Sequence, residues 1–243
     1  MIDQKNRRKL YQYVVEELGL RIARGELAPG DTLPNEDALC QELDVSRGVL
    51  REATKVLSEK GLIRSRPKTG TRIQPRQDWN MFDPDVLAWT YKTGDPFVFL
   101  RDITEIRRVV EAEAARMAAL RATPEDMVPI WAAYREMMDL VDPGFQFSVE
   151  EFIQLDLKFH TAILEACHNE LMAQLGQIMR QALLTGRHID RPTTGDKQTS
   201  LHSHQAIARA IDNHDPDEAY RVAQEHIDEV WSEIRQRWNR EAD

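Results

Sequence analysis

The stretch FIQLDLKFHTAILEACH, residues 152–168, places an aspartate and a histidine in an otherwise apolar helical pattern. Asp156 and His160 are four residues apart, so on a helix they lie on one face, in line with the apolar positions. Polar side chains that face a core without partners cost about 2 kcal/mol or more each. Three explanations are therefore open: a catalytic apparatus, a metal ion, or a hydrogen bond between the two side chains.

Two further histidines fall on the apolar faces of helical patterns nearer the C-terminus. His204 follows the apolar positions of residues 201–211 and His226 those of residues 219–230, whereas His202 falls on an outer face. Three imidazoles and one carboxylate form a ligand set for a divalent transition metal; zinc is favoured, and nickel or manganese is possible. A structural hydrogen-bond network is the alternative. The predicted metal ligands are Asp156, His160, His204 and His226.

The composition is that of a globular protein. The chain has 243 residues, of which 42% are hydrophobic and 30% charged, enough for one large domain or two ordinary ones. No apolar run approaches the roughly 20 residues of a membrane span, and the basic N-terminus lacks the apolar segment of a signal peptide. Cys40 and Cys167 are expected to be thiols in a reducing compartment. We therefore predict a cytoplasmic protein without a membrane partner.

The charge is distributed unevenly. Residues 1–78 contain 15 Lys and Arg against 12 Asp and Glu, whereas the remainder contains 17 against 29. This split indicates a smaller domain that faces a polyanion and a larger acidic domain with another role.

The N-terminal pattern predicts three helices followed by a hairpin. The first helix covers 7–24, Asn35 caps a short second helix, and Ser46 caps a third over 47–60. Alternating apolar and polar residues around a basic Pro-Lys-Thr-Gly tip then predict a two-stranded hairpin. This order of elements is that of a winged helix-turn-helix.

In that fold the third helix enters the major groove of double-stranded DNA by its N-terminal end, and the wing contacts the backbone or minor groove. Arg47 and Arg51 share one face and suit guanine, while Lys55 suits a phosphate. A solvated basic helix face is the alternative, which the full order of elements disfavours. The predicted DNA-binding residues are Arg47, Gly48, Arg51, Lys55, Lys68, Thr69, Gly70 and Thr71.

The remaining chain is predicted to be almost entirely helical. Residues 79–96 include two tryptophans and two prolines and are expected to form a packed connector. From residue 97 onward we predict six or seven helices in an all-α bundle. The fold class is therefore mainly α: a winged helix-turn-helix over 1–78, the connector over 79–96, and an effector- and metal-binding, dimerising domain over 97–243.

The N-terminal stretch GELAPGDTLPNEDALCQELDVSRGVLREATKVLSEKGLIRSRPKTGTRI resembles the DNA-binding domain of GntR-type bacterial transcription regulators over roughly residues 10–75. The resemblance implies that Arg47, Gly48, Arg51 and the wing around Gly70 contact operator DNA. Many relatives carry an arginine where this chain has Asp37, and that arginine usually touches DNA. An aspartate there repels phosphate, so the operator sequence or the docking is expected to differ.

Residues 97–237 resemble the all-α (FCD-type) ligand-binding domain of the FadR subgroup. In many members the positions that match the four predicted ligands hold a metal that helps to bind a small carboxylate effector, and Arg107 matches an arginine that often faces the effector. The helical pattern independently points Arg107 inward and Arg108 outward. A buried ion pair with a helix glutamate is the alternative for Arg107. The stretch DWNMFDPDVLAW and the general pattern look most like sugar-acid, galactonate-type repressors.

Together these features predict an effector-controlled transcription regulator, a repressor rather than an enzyme, whose homodimer presents two third helices to operator DNA. A metal-dependent hydrolase or isomerase that acts on a small organic acid is the alternative. That alternative lacks a clearly placed general base and a nucleophile motif, and it leaves the DNA-binding half unexplained. A purely structural metal clip would leave Arg107 without a role.

Overall fold

The computed structural model describes residues 4–66, 70–141, 149–185 and 194–242. The chain divides into two compact units, Met1–Pro96 and Phe97–Asp243. The predicted fold class is confirmed, because helices dominate both units and the described strands form a single two-stranded sheet.

The first unit contains the predicted helices and hairpin. Its elements are α1 (Gln4–Ala23), α2 (Glu36–Glu42), α3 (Arg47–Glu59), β1 (Ile63–Arg66), β2 (Gly70–Ile73), a short 3₁₀ turn (Arg76–Asp78) and α4 (Pro84–Thr93). The two strands are antiparallel, with Ile63 opposite Ile73. The wing residues Lys68 and Thr69 lie outside the described residues.

Local sequence signals fix the ends of the second and third helices. The Asn35 side chain accepts a hydrogen bond from the Ala38 N–H at 2.8 Å, and Ser46 accepts one from Val49 at 3.4 Å, as N-caps do. Gly61 follows α3 with a φ of 80°, and a Cβ there would lie 2.3 Å from the Asp78 carbonyl oxygen. Only glycine satisfies both conditions, so α3 must end at this point.

The predicted connector packs onto the first unit. In α4, the Trp89 ring is buried, and its indole N–H donates to Glu16 Oε2 of α1 at 2.8 Å. Gly19 of α1 allows this approach, because a Cβ there would lie 2.5 Å from the ring. Lys60, at the end of α3, pairs with Asp83 at 2.7 Å. The segment 79–96 is thus part of the first unit rather than a separate linker.

The second unit contains six described helices. They are α5 (Pro96–Arg121), α6 (Pro124–Val141), α7 (Val149–Ala166), α8 (Glu170–Thr185), α9 (Thr194–Asp212) and α10 (Pro216–Ala242). Helix α6 packs against α7 and α9, and α9 packs against α10. The core between them includes Ile130, Met137, Phe159 and Ile207, each almost fully buried. Among the helices of the described residues, we find none with the length and hydropathy of a membrane span.

Candidate functional site

The four predicted metal ligands come together in the second unit. Asp156 and His160 lie on α7, His204 on α9 and His226 on α10, and one ligand atom from each lies within 4.8 Å of the others. Since Zn–N bonds are about 2.0–2.1 Å long, ligand atoms around one ion lie within about 4 Å of one another. The cluster therefore needs only small side-chain adjustments to surround a single cation.

The three imidazoles are buried and packed against one another. Their exposed fractions are 7% for His160, 0% for His204 and 2% for His226, and their ring centroids lie 4.5–5.3 Å apart. Asp156 is more open, with 24% of its side chain exposed. Its Oδ1 atom lies 2.9 Å from His204 Nε2 and 3.8 Å from His160 Nε2. The carboxylate thus faces two of the histidines from the rim of the cluster.

The cluster contains buried nitrogen atoms that suit a metal. Within the described residues, neither ring nitrogen of His226 has a hydrogen-bond partner, and His160 Nε2 has none either. Such buried polar atoms cost about 1–3 kcal/mol each when left unsatisfied. Hydrogen bonding within the cluster, the structural alternative, does not satisfy them. A cation at the centre would satisfy His160 Nε2 and one of the two His226 nitrogens, since an imidazole binds one ion through one nitrogen.

A second carboxylate, on α5, orients one of the imidazoles. His160 Nδ1 lies 3.0 Å from Glu111 Oε2, and Glu111 Oε1 accepts a hydrogen bond from Arg107 Nε at 2.7 Å. When Nδ1–H donates to Glu111, the lone pair of His160 is on Nε2, which faces the cluster. Glu111 is therefore placed to hold the ring in the tautomer that a metal requires.

The electrostatics of the cluster favour the metal-binding form of Asp156 and His226. Burial raises the pKa of Asp156, but the His204 hydrogen bond and the nearby positive charges outweigh it and hold that pKa well below its usual range. Burial, together with the charges of His204 and His160, lowers the pKa of His226 well below its ordinary value. Asp156 therefore stays ionised and His226 stays neutral, as metal ligands must. Burial lowers the pKa of His160, but Glu111 outweighs it and raises that pKa, so a metal must displace a proton there.

A cleft opens beside the cluster. It has about 80 Å³ of space for water-sized groups, enough for more than one ordered water. Its wall includes two predicted ligands, Asp156 and His226, and two arginines, Arg107 and Arg237. A small anion in this cleft would meet the cluster and the two guanidinium groups, and also the Glu233 carboxylate that shares the wall.

The predicted inward orientation of Arg107 is confirmed, since it is only 4% exposed, whereas the Arg108 side chain is 44% exposed and pairs with Asp228. The buried ion pair considered as the alternative also exists, because Arg107 pairs with Glu111. Arg107 lines the cleft as well, so the pair does not remove it from the effector prediction. Glu111 and Arg237 did not emerge from the sequence; the spacing of four residues between Arg107 and Glu111 was the available signal for Glu111.

The predicted DNA-contacting side chains of α3 are exposed. The exposed fractions of the Arg47, Arg51 and Lys55 side chains are 64%, 70% and 72%. Gly48 lies between the two arginines in the first turn of α3, half-buried. In the wing, Gly70 has a φ of 78°, and the Thr71 hydroxyl lies 2.8 Å from that of Ser65. The structure thus presents Arg47, Arg51 and Lys55 to solvent along one helix.

Each unit matches a known family. Residues 10–73 match the family described as "Bacterial regulatory proteins, gntR family", and residues 102–229 match the FCD domain. The galactonate operon transcriptional repressor of Escherichia coli (strain K12) is 33% identical over 213 residues, which are 86% of this chain and 90% of that protein. The chain belongs to the GntR family. It is a transcription regulator with an FCD domain.

Other relatives support this assignment. The Glc operon transcriptional activator of the same Escherichia coli strain is 28% identical to this GntR regulator over 91% of the chain and 87% of its own length. The solved structure of Lar, which controls the expression of the Listeria monocytogenes agr system, has a TM-score of 0.60 at 15% identity and covers 95% of this chain and 96% of its own. That likeness concerns the fold alone.

The relatives also decide between the two predicted classes of protein. They are transcriptional regulators that align over most of both chains, including the second unit. The prediction that this GntR regulator is not an enzyme is confirmed. The alternative of a metal-dependent hydrolase or isomerase is contradicted.

Proposed function

We propose that this GntR regulator is a cytoplasmic repressor that binds operator DNA as a homodimer and is controlled by a small carboxylate effector. The effector binds in the FCD unit, beside a divalent transition metal held by Asp156, His160, His204 and His226. Zinc is the favoured metal, with nickel or manganese as alternatives, because three imidazoles and one carboxylate suit these ions.

The observation that carries this proposal is the convergence of one carboxylate and three buried imidazoles from three helices within 4.8 Å. Sequence periodicity and the FCD resemblance predict the same four residues. The unsatisfied ring nitrogens of His226 add a physical reason, since a hydrogen-bonded core would have provided them with partners.

The cleft supports a small carboxylate as the effector. A bound divalent cation supplies positive charge and coordination positions for an anionic oxygen. Arg107 supplies guanidinium N–H donors, whose planar arrangement matches a carboxylate. A hydroxy-acid such as a sugar acid offers both a carboxylate and neighbouring hydroxyls, and the 33% identical relative is the repressor of a galactonate operon. We therefore favour sugar acids as the effector class.

Chain connectivity gives a route from effector to DNA. Arg107 lies on α5, which follows α4 directly in sequence, and α4 packs on α1 of the DNA-binding unit. A shift of α5 on effector binding would be transmitted along the chain to α4, and in a dimer it would change the spacing of the two third helices. Half-sites on DNA are about 34–36 Å apart, so a change in spacing weakens simultaneous binding.

Exposed apolar side chains on α5 support the homodimer. Val109 is 65% exposed and Ile106 is 47% exposed, three residues apart on one helix. The proposal of repression rather than activation rests on the galactonate operon repressor, the 33% identical relative. The Glc operon relative, at 28% identity, is an activator.

The proposal is tested by operator binding across effector titrations. Duplexes from the region upstream of the protein's own gene would be footprinted with the full-length, zinc-loaded chain, and a panel of sugar acids that begins with galactonate would then be added. We expect at least one sugar acid to release the zinc-loaded protein from its duplex and to have no effect after chelation. Release that is unchanged by chelation would contradict the metal-dependent part of the proposal.

A further inference from the structure

Two acidic side chains of α2 pair with the two arginines of α3 that are predicted to contact bases. Arg47 Nη2 lies 2.7 Å from Asp37 Oδ1, and Arg51 Nε lies 2.9 Å from Glu36 Oε1. Arg51 Nη2 also donates a hydrogen bond to Glu36 Oε2, at 3.3 Å. The exposed end of the third helix therefore carries acid–base pairs rather than bare cations.

The local fold produces this pairing. Asn35 caps α2, which places Glu36 and Asp37 in its first turn, where the helix dipole favours negative charge. Ser46 caps α3 and so places Arg47 in the first turn of that helix. The N-terminal ends of the two helices thus bring consecutive acids to arginines that are one turn apart.

Stability of the fold does not explain the Asp37–Arg47 pair. Both side chains are mostly solvent-exposed, 64% for Arg47 and 70% for Asp37. Exposed ion pairs contribute little to folding stability. The charge of Asp37 therefore matters most for what approaches this surface.

We propose that Asp37 is a specificity-determining residue in DNA recognition, which works by its pairing with Arg47. This inference rests on the proposed function, in which Arg47 contacts a base edge. Asp37 keeps the Arg47 guanidinium directed at a guanine, disfavours phosphates at the same place, and accepts a hydrogen bond from a cytosine amino group.

The chemistry of the base edges supports this division of work. Guanine presents two acceptors, N7 and O6, in the major groove, and its partner cytosine presents the N4 amino donor beside them. Arginine has five N–H donors in a fixed fork, so one side can pair with a carboxylate while another faces guanine. Together Arg47 and Asp37 offer donors and an acceptor that match one G·C pair, or two neighbouring ones.

Electrostatics supports the same conclusion for non-specific DNA. Binding to random sequence comes mainly from contacts between cations and phosphates. A carboxylate 2.7 Å from the Arg47 guanidinium cancels much of its charge and repels phosphate oxygens. Guanine carries no net charge, so the carboxylate repels it less than it repels a phosphate. Asp37 therefore weakens random binding more than it weakens specific binding.

The test compares charge-removing variants of equal size. A preferred duplex is first selected from a random pool with the full-length wild-type protein, and its Kd is compared with that of a scrambled duplex at one salt concentration. Asp37→Asn removes the carboxylate next to Arg47. Glu42→Gln is the matched control, because Glu42 ends the same helix and pairs with Arg21 of α1 instead. Arg47→Ala reports on the underlying base contact.

We expect Asp37→Asn to bind the scrambled duplex more tightly and the selected duplex no more tightly, so that the ratio of the two Kd values falls at least about fivefold. When the selection is repeated with Asp37→Asn, the selected duplexes should no longer require one G·C pair that the wild type requires. Glu42→Gln should keep the wild-type ratio of the two Kd values. Suppose that Arg47→Ala lowers the ratio of the two Kd values but Asp37→Asn changes both Kd values equally. The inference about Asp37 is then overturned, while the base contact of Arg47 is retained. If Arg47→Ala keeps the wild-type ratio, the base contact fails, and the inference fails with it.

Discussion

The carboxylate of Glu111 lies between Arg107 and His160, with its Oε2 atom 3.0 Å from His160 Nδ1. Burial raises the pKa of Glu111, but the charges of Arg107 and His160 outweigh it and hold that pKa well below its usual range. An ionised Glu111 thus connects the arginine that lines the cleft to a histidine of the cluster. Glu111, which orients His160, and Arg107, which lines the cleft, therefore belong to one hydrogen-bonded network.

Glu111→Gln should weaken zinc binding about 10- to 100-fold, because residues that orient metal-ligating histidines contribute about this much to affinity. Zinc affinity would be measured by competition with a chromophoric chelator, and near-UV circular dichroism would confirm folding. Glu113→Gln is the control, since Glu113 lies on the same helix but pairs with Arg116. A folded Glu111→Gln variant with wild-type zinc affinity would show that Glu111 does not orient His160.

Glu16→Ala should destabilise the first unit by about 1–3 kcal/mol, because it leaves the buried Trp89 indole N–H without its acceptor. Burial raises the pKa of Glu16, but the hydrogen bonds from Trp89 and Lys92 and the charge of Lys92 outweigh it. The pKa of Glu16 in the folded state therefore lies below its ordinary value. The stabilisation from this carboxylate is therefore present above its unfolded pKa of about 4.3 and is lost as the pH falls.

Urea unfolding of wild type and Glu16→Ala across acidic and neutral pH would check this. The difference in unfolding free energy should shrink below about pH 4. Glu17→Ala, next in sequence, removes a half-buried surface pair with Arg21 and should cost at most about 1 kcal/mol. A difference between wild type and Glu16→Ala that stays constant with pH would mean that the charge of Glu16 is irrelevant.

Much of this architecture can be predicted from the sequence because its determinants are local. Asn35 and Ser46 mark helix starts by their capping chemistry, and Gly61 marks a helix end by its positive φ. The cluster was predictable for the same reason: helical periodicity alone places Asp156 and His160 on one inward face.

Other features depend on how helices pack, which periodicity does not specify. The contact between Glu111 and His160 requires a particular face of α5 to meet α7. The pairing of Asp37 with Arg47 depends on the crossing of α2 and α3. The sequence showed only that Asp37 replaces a usual arginine, and the structure shows which side chain it contacts.

Arg47→Ala should cost about 1–3 kcal/mol on the preferred duplex and little on random DNA, because a base contact carries sequence information. Lys55→Ala should weaken binding to both and reduce the salt slope by about one unit, as loss of a phosphate contact does. Fluorescence anisotropy over a salt series measures both effects. Equal losses on both duplexes for Arg47→Ala would remove Arg47 from base recognition.

Arg107→Lys should leave operator binding unchanged and shift the effector response at least about tenfold, because lysine keeps a buried positive charge near Glu111 but lacks the planar donors that a carboxylate prefers. Arg108→Lys is the control, since Arg108 is exposed and pairs with Asp228. Operator binding across a titration with the active sugar acid measures the shift. An Arg107→Lys protein that responds at the wild-type effector concentration would show that Arg107 serves only the ion pair with Glu111.

The central claim is that four side chains of the FCD unit hold one metal ion, and the metal content of the purified chain tests it most directly. Wild type, His202→Ala and the double variant His204→Ala/His226→Ala would be dialysed together against limiting zinc and then metal-free buffer, and bound metal would be measured by mass spectrometry. His202 is exposed and faces away from the predicted ligands, so its variant controls for the loss of a histidine. The account predicts one ion per chain in wild type and His202→Ala and almost none in the double variant. One ion per chain in the double variant would contradict it.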